Sequence, residues 1–482
     1  MKKMFNLIFL IATVIFISSC SKSSKGLTYD VVYDGYNINQ NEEYLELKER
    51  PFIDTTTKNT LNISMDSSTA AYSNIRRLIN QGIDIPSDAV NIEQMLNYFN
   101  YSYENTSSDE LKIFTEIAKC PWNEENSLLQ VAIKAKNFDI ADKKPNNFVF
   151  LLDVSGSMYA SNKLPLMIEA FKLLIDNLND DDRISIVTYA GSDKILLDGG
   201  YGYEKTKISA IMSDLVAEGS THGSAGITTA YNLIEKYYIE GGNNRVFLAT
   251  DGDFNVGITS TNSLTKFISE KRSKGAYLSI FGFGDSNLKS NIIDTLAQNG
   301  NGNYYYIDSV LEAQKVFVSE IGGTLNTIAK DCKAQLEFNK DVVEKYRIIG
   351  YENKVMSDEE FNDSKKDAGE IGAGHTTICL VELKLKENLN NDIVKCTLRY
   401  KTPDLDINKE IIETCKEVVT NPSLDFIFAS SVAEFGLILR NSSYKAAASL
   451  DAILERIDKD AFTSDIYKKE FCELVKKVKE KN

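Results

Sequence analysis

Histidine is scarce in this chain: among 482 residues there are only two, His222 and His375. A hydrolase that activates a metal-bound water needs a general base, and histidine is the side chain that most often supplies one. Neither SNKLP nor GHT offers a serine nucleophile with a neighbouring base, so the parts of a covalent hydrolase are missing as well. The sequence therefore argues against an enzyme, and a metal-assisted hydrolase is kept only as a minor alternative.

Several binding motifs are also missing. The chain has no Cys-x-x-C pair of the kind that holds zinc. No lysine follows the glycines of GSTHGSAGI in the pattern of a phosphate-binding loop. Basic residues are in deficit, with 54 Lys and Arg against 69 Asp and Glu, and the net charge of −15 disfavours a nucleic-acid partner. The 43% hydrophobic and 26% charged content is that of a globular chain with roughly two to four domains.

The amino terminus has the pattern of an export signal. Two lysines precede an apolar run over residues 5–17, which is too short for a comfortable membrane span, and small residues follow. The ending Ile-Ser-Ser-Cys resembles a bacterial lipobox, which implies a signal peptide over residues 1–19 and a lipidated Cys20. A plain signal peptide with an incidental cysteine is the alternative. We expect a flexible tether over residues 20–45. We also expect a lipid-anchored protein of the bacterial cell envelope, at the outer membrane, and the sequence does not decide between the periplasmic and the outer surface of that membrane.

The stretch NNFVFLLDVSGSM indicates a buried strand that runs directly into a loop of oxygen-bearing side chains. Asp153, Ser155 and Ser157 stand at alternate positions, and Gly156 relaxes the backbone between the two serines. Such a set can close around one small, hard cation. Asp, Ser and Gly also crowd into ordinary turns, so the loop by itself proves little.

Two later segments strengthen the metal interpretation. Thr221 lies in GSTHGSAGI and Asp251 in VFLATDGDFNVG, each at or just beyond the end of an apolar segment. In an open parallel sheet the carboxyl ends of the strands share one rim, where distant residues converge. The whole pattern resembles the metal-ion-dependent adhesion site of von Willebrand factor type A (VWA) domains.

That resemblance implies a ligand set and a partner. Asp153, Ser155, Ser157 and Thr221 would bind the ion, with Asp251 acting directly or through water. The ion would be a divalent cation, Mg²⁺ first, with Mn²⁺ or Ca²⁺ left open. A remaining coordination position would accept an Asp or Glu from another protein. His222 and Asp253 would stand on the rim or in the outer shell of the site.

The order of strand and helix patterns predicts the fold. Strands alternate with helices over residues 146–323, which predicts a doubly wound sheet. This is the Rossmann-like architecture that the resemblance to VWA domains implies. Residues 46–145 and 404–482 show helical spacing and resemble the N-terminal von Willebrand factor segment and the C-terminal domain of unknown function of a group of bacterial VWA lipoproteins. Residues 324–403 are β-rich, and we expect them to join a strand over 128–138 in one β-sandwich that the VWA domain interrupts.

The remaining cysteines leave two alternatives open. They are Cys120, Cys332, Cys379, Cys396, Cys415 and Cys472. Cys379 and Cys396 flank a predicted hairpin and can be cross-strand neighbours in an exported protein, whereas buried free thiols are the other interpretation.

Taken together, the sequence predicts a membrane-anchored, metal-dependent protein-binding module for adhesion or assembly. A structural factor of an envelope complex, with no metal-dependent exchange of partners, is the second hypothesis. The two differ in whether substitution of a metal ligand abolishes function.

Overall fold

The computed structural model describes residues 42–137, 144–219, 226–252, 260–285, 288–320, 322–323, 326–387, 391–403 and 407–481. The predicted signal peptide, Cys20 and most of the predicted tether lie outside the described residues. In chain order, the strands are β1 Ile53–Asp54, β2 Thr60–Ser64, β3 Leu111–Lys119, β4 Ser127–Ala135, β5 Asn146–Asp153, β6 Arg183–Tyr189, β7 Asp193–Tyr201, β8 Asn243–Thr250, β9 Ala276–Phe283, β10 Tyr304–Ile307, β11 Thr327–Phe338, β12 Val343–Ile349, β13 Val355–Met356, β14 Gly369–Gly372, β15 Thr376–Leu385, β16 Val394–Lys401 and β17 Asn408–Cys415.

The helices separate these strands or follow them. They are α1 Ala70–Asn80, α2 Ile92–Asn97, α3 Leu164–Asp176, α4 Lys205–Ser213, α5 Gly226–Lys236, α6 Thr261–Arg272, α7 Ser290–Asn299, α8 Val310–Gln314, α9 Asp358–Asn362, α10 Leu424–Leu439, α11 Leu450–Ile457, α12 Asp460–Thr463 and α13 Ile466–Lys481. Among the residues described above, no helix is both long and apolar enough to cross a membrane.

Six strands form the sheet of the predicted VWA region, in the order β10-β9-β8-β5-β6-β7. Neighbouring strands pair in parallel except β7, which runs antiparallel to β6 at one edge. The chain adds β6 and β7 on one side of β5, and then returns to add β8, β9 and β10 on the other. This confirms the doubly wound, Rossmann-like prediction. In such sheets ligands bind beyond the carboxyl ends of the strands where the order reverses, here between β5 and β8.

Strand β5 is central because its side chains are apolar on both faces. All of its residues are buried. Phe150 and Leu152 join the core that includes Phe171 of α3, whereas Leu151 joins the opposite core, which includes Ile227 of α5. A continuous apolar strand is stable only where helices cover both faces of the sheet. This packing places the loop after β5 in the middle of the carboxyl rim.

Two further sheets form the predicted β-sandwich. One has the order β1-β12-β15-β4-β3, and the other has the order β13-β2-β11-β16-β17, with β14 also pairing with β11. Side chains of both sheets share one core, which includes Leu61, Val131, Leu336 and Val381. Strands β1 to β4 precede the VWA region and β11 to β17 follow it, so the VWA domain is an insertion in this sandwich, as predicted.

The sandwich also corrects two details of the prediction. Cys379 lies in β15, opposite Val131 of β4, whereas Cys396 lies in β16 of the other sheet, opposite Leu336 of β11. The two cysteines therefore do not flank a hairpin, and both are buried free thiols. Strand β17 pairs with β16, so the sheet continues past residue 403, where the prediction begins the helical domain. Its short alternating segment, NKEIIETC, is half exposed and carries little hydrophobic signal.

A helical layer covers the outer face of the first sheet. Helices α1, α2 and α10 to α13 pack there around a cluster that includes Trp122, Phe99, Phe428 and Phe471. At the end of the VWA domain, α8 continues as a π-helical segment, Lys315–Ser319. The VWA domain thus lies between elements that come from both ends of the chain.

A buried ionic cluster joins this layer to the VWA domain. Arg76 of α1 donates to Asp308 Oδ2 at 2.8 Å, to Glu312 Oε2 at 2.7 Å and to Glu470 Oε2 at 2.8 Å. It also donates to the Tyr98 hydroxyl at 3.0 Å. Asp308 and Glu312 belong to the VWA domain, Arg76 to the N-terminal segment and Glu470 to the last helix. One side chain therefore ties three parts of the chain together.

His375 immediately precedes β15. Its Nε2 atom is buried and has no hydrogen-bond partner among the described residues. Burial lowers the pKa of His375 to about 3, and the nearby Lys315 and Lys134 add to the effect. The folded protein therefore holds this imidazole neutral at a pH where the unfolded chain would protonate it.

We expect His375 to lower the free energy of unfolding in mild acid. Because the folded pKa lies below the unfolded value of 6.5, the unfolded state binds the extra proton and the free energy of unfolding falls as pH drops from 6.5 towards 3. The loss should approach about 1 kcal/mol per pH unit. Urea midpoints measured from pH 7 to pH 4 should fall more steeply for wild type than for His375→Asn. Parallel profiles would show that the folded protein accepts the proton.

Candidate metal centre

The loop after β5 brings the first three predicted ligands together. Asp153 is the last residue of β5, and its Oδ1 accepts a hydrogen bond from the Ser155 backbone N–H at 2.9 Å. The hydroxyls of Ser155 and Ser157 lie 2.9 Å apart. A short 3-10 helix, Gly156–Tyr159, follows, and it places the Ser157 hydroxyl against that of Ser155. Three side-chain oxygens therefore converge within one five-residue loop.

The Asp153 carboxylate is enclosed and incompletely satisfied. The residue is 0% exposed, and its Oδ2 makes no hydrogen bond of normal geometry with the described residues; the buried Tyr189 hydroxyl is the nearby group that could donate to it. Burial raises the pKa of Asp153 to about 6 and the charge of Asp251 adds to the rise, whereas the hydrogen bonds from Ser155 and the neighbouring Tyr189 hydroxyl oppose it. Buried polar atoms nearly always have a partner, and an orphaned carboxylate oxygen is expensive. A hard cation would satisfy it, so this donor set fits a divalent metal ion.

Asp251 comes from the other side of the topological switch point. It follows β8, is 1% exposed, and its Oδ2 accepts a hydrogen bond from Lys163 Nζ at 2.7 Å. The influence of Asp251 on the Asp153 pKa indicates that the two carboxylates are close. The structure therefore brings together the predicted residues at the ends of β5 and β8.

Sequence reasoning missed Lys163. It immediately precedes α3, and its stem crosses Gly284 in the loop after β9, where an added Cβ would come within 2.5 Å of the lysine Cε. Gly284 also has a φ of +76°, a backbone conformation that favours glycine. A cation at a helix N-terminus is electrostatically unfavourable. The lysine in SNKLP was therefore a usable signal that an anion lies beside the start of this helix.

The loop that leads to Thr221 reaches the centre. The backbone N–H of Gly156 donates to Gly219 O at 3.1 Å, and that of Glu218 donates to Val154 O at 2.8 Å. Glycine suits position 156, because a Cβ there would lie only 3.1 Å from Gly219 O. Thr221, His222 and Asp253 themselves lie outside the described residues.

The described part of the centre contains two carboxylates and two hydroxyls. Elsewhere in the described chain there is likewise no group of three or more His, Cys, Asp or Glu side chains that could hold a metal ion. A site poor in charge suits Mg²⁺, which takes oxygen ligands and keeps some of its waters. The described side chains therefore form a hydroxyl-rich set of oxygen atoms, which suits moderate affinity for a divalent ion.

The strand order and this loop define the class of protein. A family model described as von Willebrand factor type A domain matches residues 147–319, and the model described as von Willebrand factor matches residues 38–130. Residues 323–391 and 384–480 match the model of the C-terminal region of the uncharacterized protein YfbK. The segment that carries the site is thus a VWA domain, a fold typical of protein-interaction and adhesion modules.

The similarity extends over most of the chain. Uncharacterized protein YfbK of Escherichia coli (strain K12) is 38% identical over 428 residues, which cover 83% of this chain and 74% of that protein. The chain therefore belongs to the YfbK family of VWA-domain proteins, which confirms the predicted VWA domain and its two flanking family segments.

Two more distant similarities accompany it. Inter-alpha-trypsin inhibitor heavy chain H3 of Mesocricetus auratus is 24% identical over 263 residues, covering 50% of this chain and 29% of that protein. Among solved structures, the von Willebrand factor type A protein from Catenulispora acidiphila is 15% identical, with a TM-score of 0.44, and the match covers 76% of this chain and 90% of that one.

Proposed function

We propose that this protein is a lipid-anchored, metal-dependent protein-binding module, in which a partner carboxylate completes the coordination of a divalent cation. The observation that carries the proposal is the buried Asp153 oxygen, which makes no hydrogen bond of normal geometry with the described residues and lies in the same loop as two converging hydroxyls. It lies at the switch point of a doubly wound sheet, where such folds bind their ligands.

In the proposed site the protein supplies oxygen ligands and little negative charge. Asp153, Ser155 and Ser157 would hold the ion together with Thr221, and Asp251 would act directly or through water. Mg²⁺ is the expected ion, because the set is all oxygen and partly neutral. A bound ion that the protein neutralises only in part attracts an external carboxylate, so the partner should present an exposed Asp or Glu.

The proposal assigns no catalysis to this site. Its described residues offer no imidazole within hydrogen-bond distance of the serine hydroxyls or Asp153, and His375 lies at the start of β15 in the sandwich. Neither YfbK nor the inter-alpha-trypsin inhibitor heavy chain carries the name of an enzyme. Metal-assisted hydrolysis therefore remains the weaker alternative, and turnover of ester or peptide substrates that is lost in Asp153→Ala would support it.

A structural role is the second candidate, and the Arg76 cluster favours it. Because this cluster ties the VWA domain to both flanking segments through ion pairs, these three parts of the chain can act as one rigid assembly part. In that case the metal would support the fold and would not exchange partners.

Affinity capture from envelope extract distinguishes the two candidates. Wild type, Asp153→Asn and the exposed-site control Asp198→Asn would serve as baits, each in Mg²⁺ and in EDTA. We expect partners that are retained by wild type and by Asp198→Asn in Mg²⁺ only. Identical partner lists under all conditions would reject metal-mediated recognition and favour the structural role.

The anchor is tested separately. If Cys20 carries a lipid at the bacterial outer membrane, Cys20→Ser should move the protein from the membrane fraction to the soluble fraction, because a single lipid-bearing residue would hold an otherwise polar surface. Cys120→Ser is the matched control and should stay with the membranes. Membrane retention of Cys20→Ser would overturn the anchor without affecting the metal proposal.

A further inference from the structure

We propose that Lys163 sets the charge of the metal centre: it weakens the hold on the divalent ion and leaves the occupied centre with a positive charge for a partner carboxylate. This inference rests on the proposed metal-dependent function. It assigns a positioning and electrostatic role to a residue outside the predicted ligand set.

The contact between Lys163 and Asp251 is enclosed and built into the fold. The lysine side chain is 7% exposed and that of Asp251 is 0% exposed, with 2.7 Å between Nζ and Oδ2. The lysine backbone is held as well, since its N–H donates to Ala160 O at 3.0 Å and its carbonyl accepts from Met167 N at 2.8 Å. Its stem lies closely over Gly284, so the side chain reaches Asp251 through space that a larger residue at position 284 would fill.

A second carboxylate, that of Asp285, lies near the start of α3 and has other hydrogen-bond partners. Asp285, which follows Gly284, accepts hydrogen bonds from the amides of Asn162 at 3.3 Å and Gln81 at 3.0 Å. The ammonium of Lys163 donates to the inner carboxylate, Asp251. Its pair with Asp251 spans 88 positions of sequence, so it forms only when the loops after β5 and β8 come together.

Charge counting gives the consequence. Asp153, Asp251 and Lys163 together carry one net negative charge, so a bound divalent ion leaves one net positive charge, which a single partner carboxylate cancels. Without Lys163, the two aspartates would neutralise the ion completely. The ion would then bind more tightly, and the occupied centre would attract an external carboxylate less. Such effects are strong in an enclosed site, because the local dielectric is low.

The test is calorimetric titration of the full chain with Mg²⁺ alone, using wild type, Lys163→Met, Lys163→Gln and Lys163→Arg. We expect both neutral variants to bind Mg²⁺ at least about tenfold more tightly than wild type, since loss of a nearby positive charge removes a repulsion worth more than 1 kcal/mol. Lys163→Arg keeps the charge and should bind within about threefold of wild type. Lys172→Met, on α3 and away from Asp251, is the matched control and should not change the affinity.

The second readout is the melting temperature, which is measured without calorimetric titration. In EDTA the neutral variants should melt below wild type, because Asp251 loses its partner, and added Mg²⁺ should raise their melting temperature by more than it raises that of wild type. Mg²⁺ affinity in Lys163→Met and Lys163→Gln that equals or falls below wild type would overturn the role of Lys163 alone. Absence of Mg²⁺ binding in all proteins, wild type included, would overturn the proposed function together with it.

Discussion

Asp153→Asn is expected to weaken Mg²⁺ binding by at least about 100-fold and, at the same time, to stabilise the metal-free protein. Loss of an outer-shell group alone costs about 10–100-fold in metal affinity, and Asp153 would be a direct ligand. The gain in stability has a separate cause. Burial raises the pKa of the Asp153 carboxyl to about 6, so its ionised form is unfavourable in the empty site at neutral pH. Removing that charge should add about 1–3 kcal/mol to the free energy of unfolding in EDTA.

Calorimetry with Mg²⁺ and urea unfolding in EDTA measure the two effects on the same samples. Asp198→Asn is the control, because this carboxylate is exposed and pairs with Lys236 far from the centre. It should leave Mg²⁺ affinity unchanged and alter stability by less than about 1 kcal/mol. Full Mg²⁺ affinity in Asp153→Asn would remove this residue from the ligand set. A metal-free variant less stable than wild type would mean that Asp153 supports the fold without an ion.

Arg76→Met is expected to lower the free energy of unfolding by about 3–5 kcal/mol. The guanidinium is 2% exposed and pairs with Asp308, Glu312 and Glu470. Methionine keeps much of the volume but leaves these carboxylates, of which Glu312 is fully buried, without their arginine partner. Because the cluster joins three parts of the chain, we also expect the VWA domain to loosen from the helical layer. Urea unfolding followed by tryptophan fluorescence reports on the same region, since Trp122 lies in the helical core.

The double variant Arg76→Met/Glu312→Gln separates charge from packing. If uncompensated charge is the cause, removing one carboxylate should recover about 1–2 kcal/mol of the loss. Lys207→Met, which breaks the exposed pair with Glu204, serves as the surface control and should change stability by less than about 1 kcal/mol. A double variant as unstable as the single one would assign the loss to packing around Tyr98.

Much of the VWA domain was predictable because its signals are local. Strand β5 is apolar at successive positions and α3 is apolar at helical spacing, so each element is visible within its own stretch of residues. The rule that parallel strands connect through right-handed crossovers then leaves few ways to arrange them. The sandwich was harder, since β2, β3 and β17 are short or half exposed and find their partners far away in sequence. Cys379 and Cys396 illustrate the difficulty. Their strands, β15 and β16, follow one another along the chain but belong to different sheets.

By itself, the sequence determined the alternation of strands and helices, the family resemblance and the cluster of Asp153, Ser155 and Ser157, because each of these is written within a few consecutive residues. Only the tertiary structure decided that Lys163 pairs with Asp251, that Arg76 binds three acidic residues, and that β15 and β16 lie on opposite sheets. These contacts join positions tens to hundreds of residues apart. They depend on how the chain crosses over the sheets, a property that no short stretch of sequence contains.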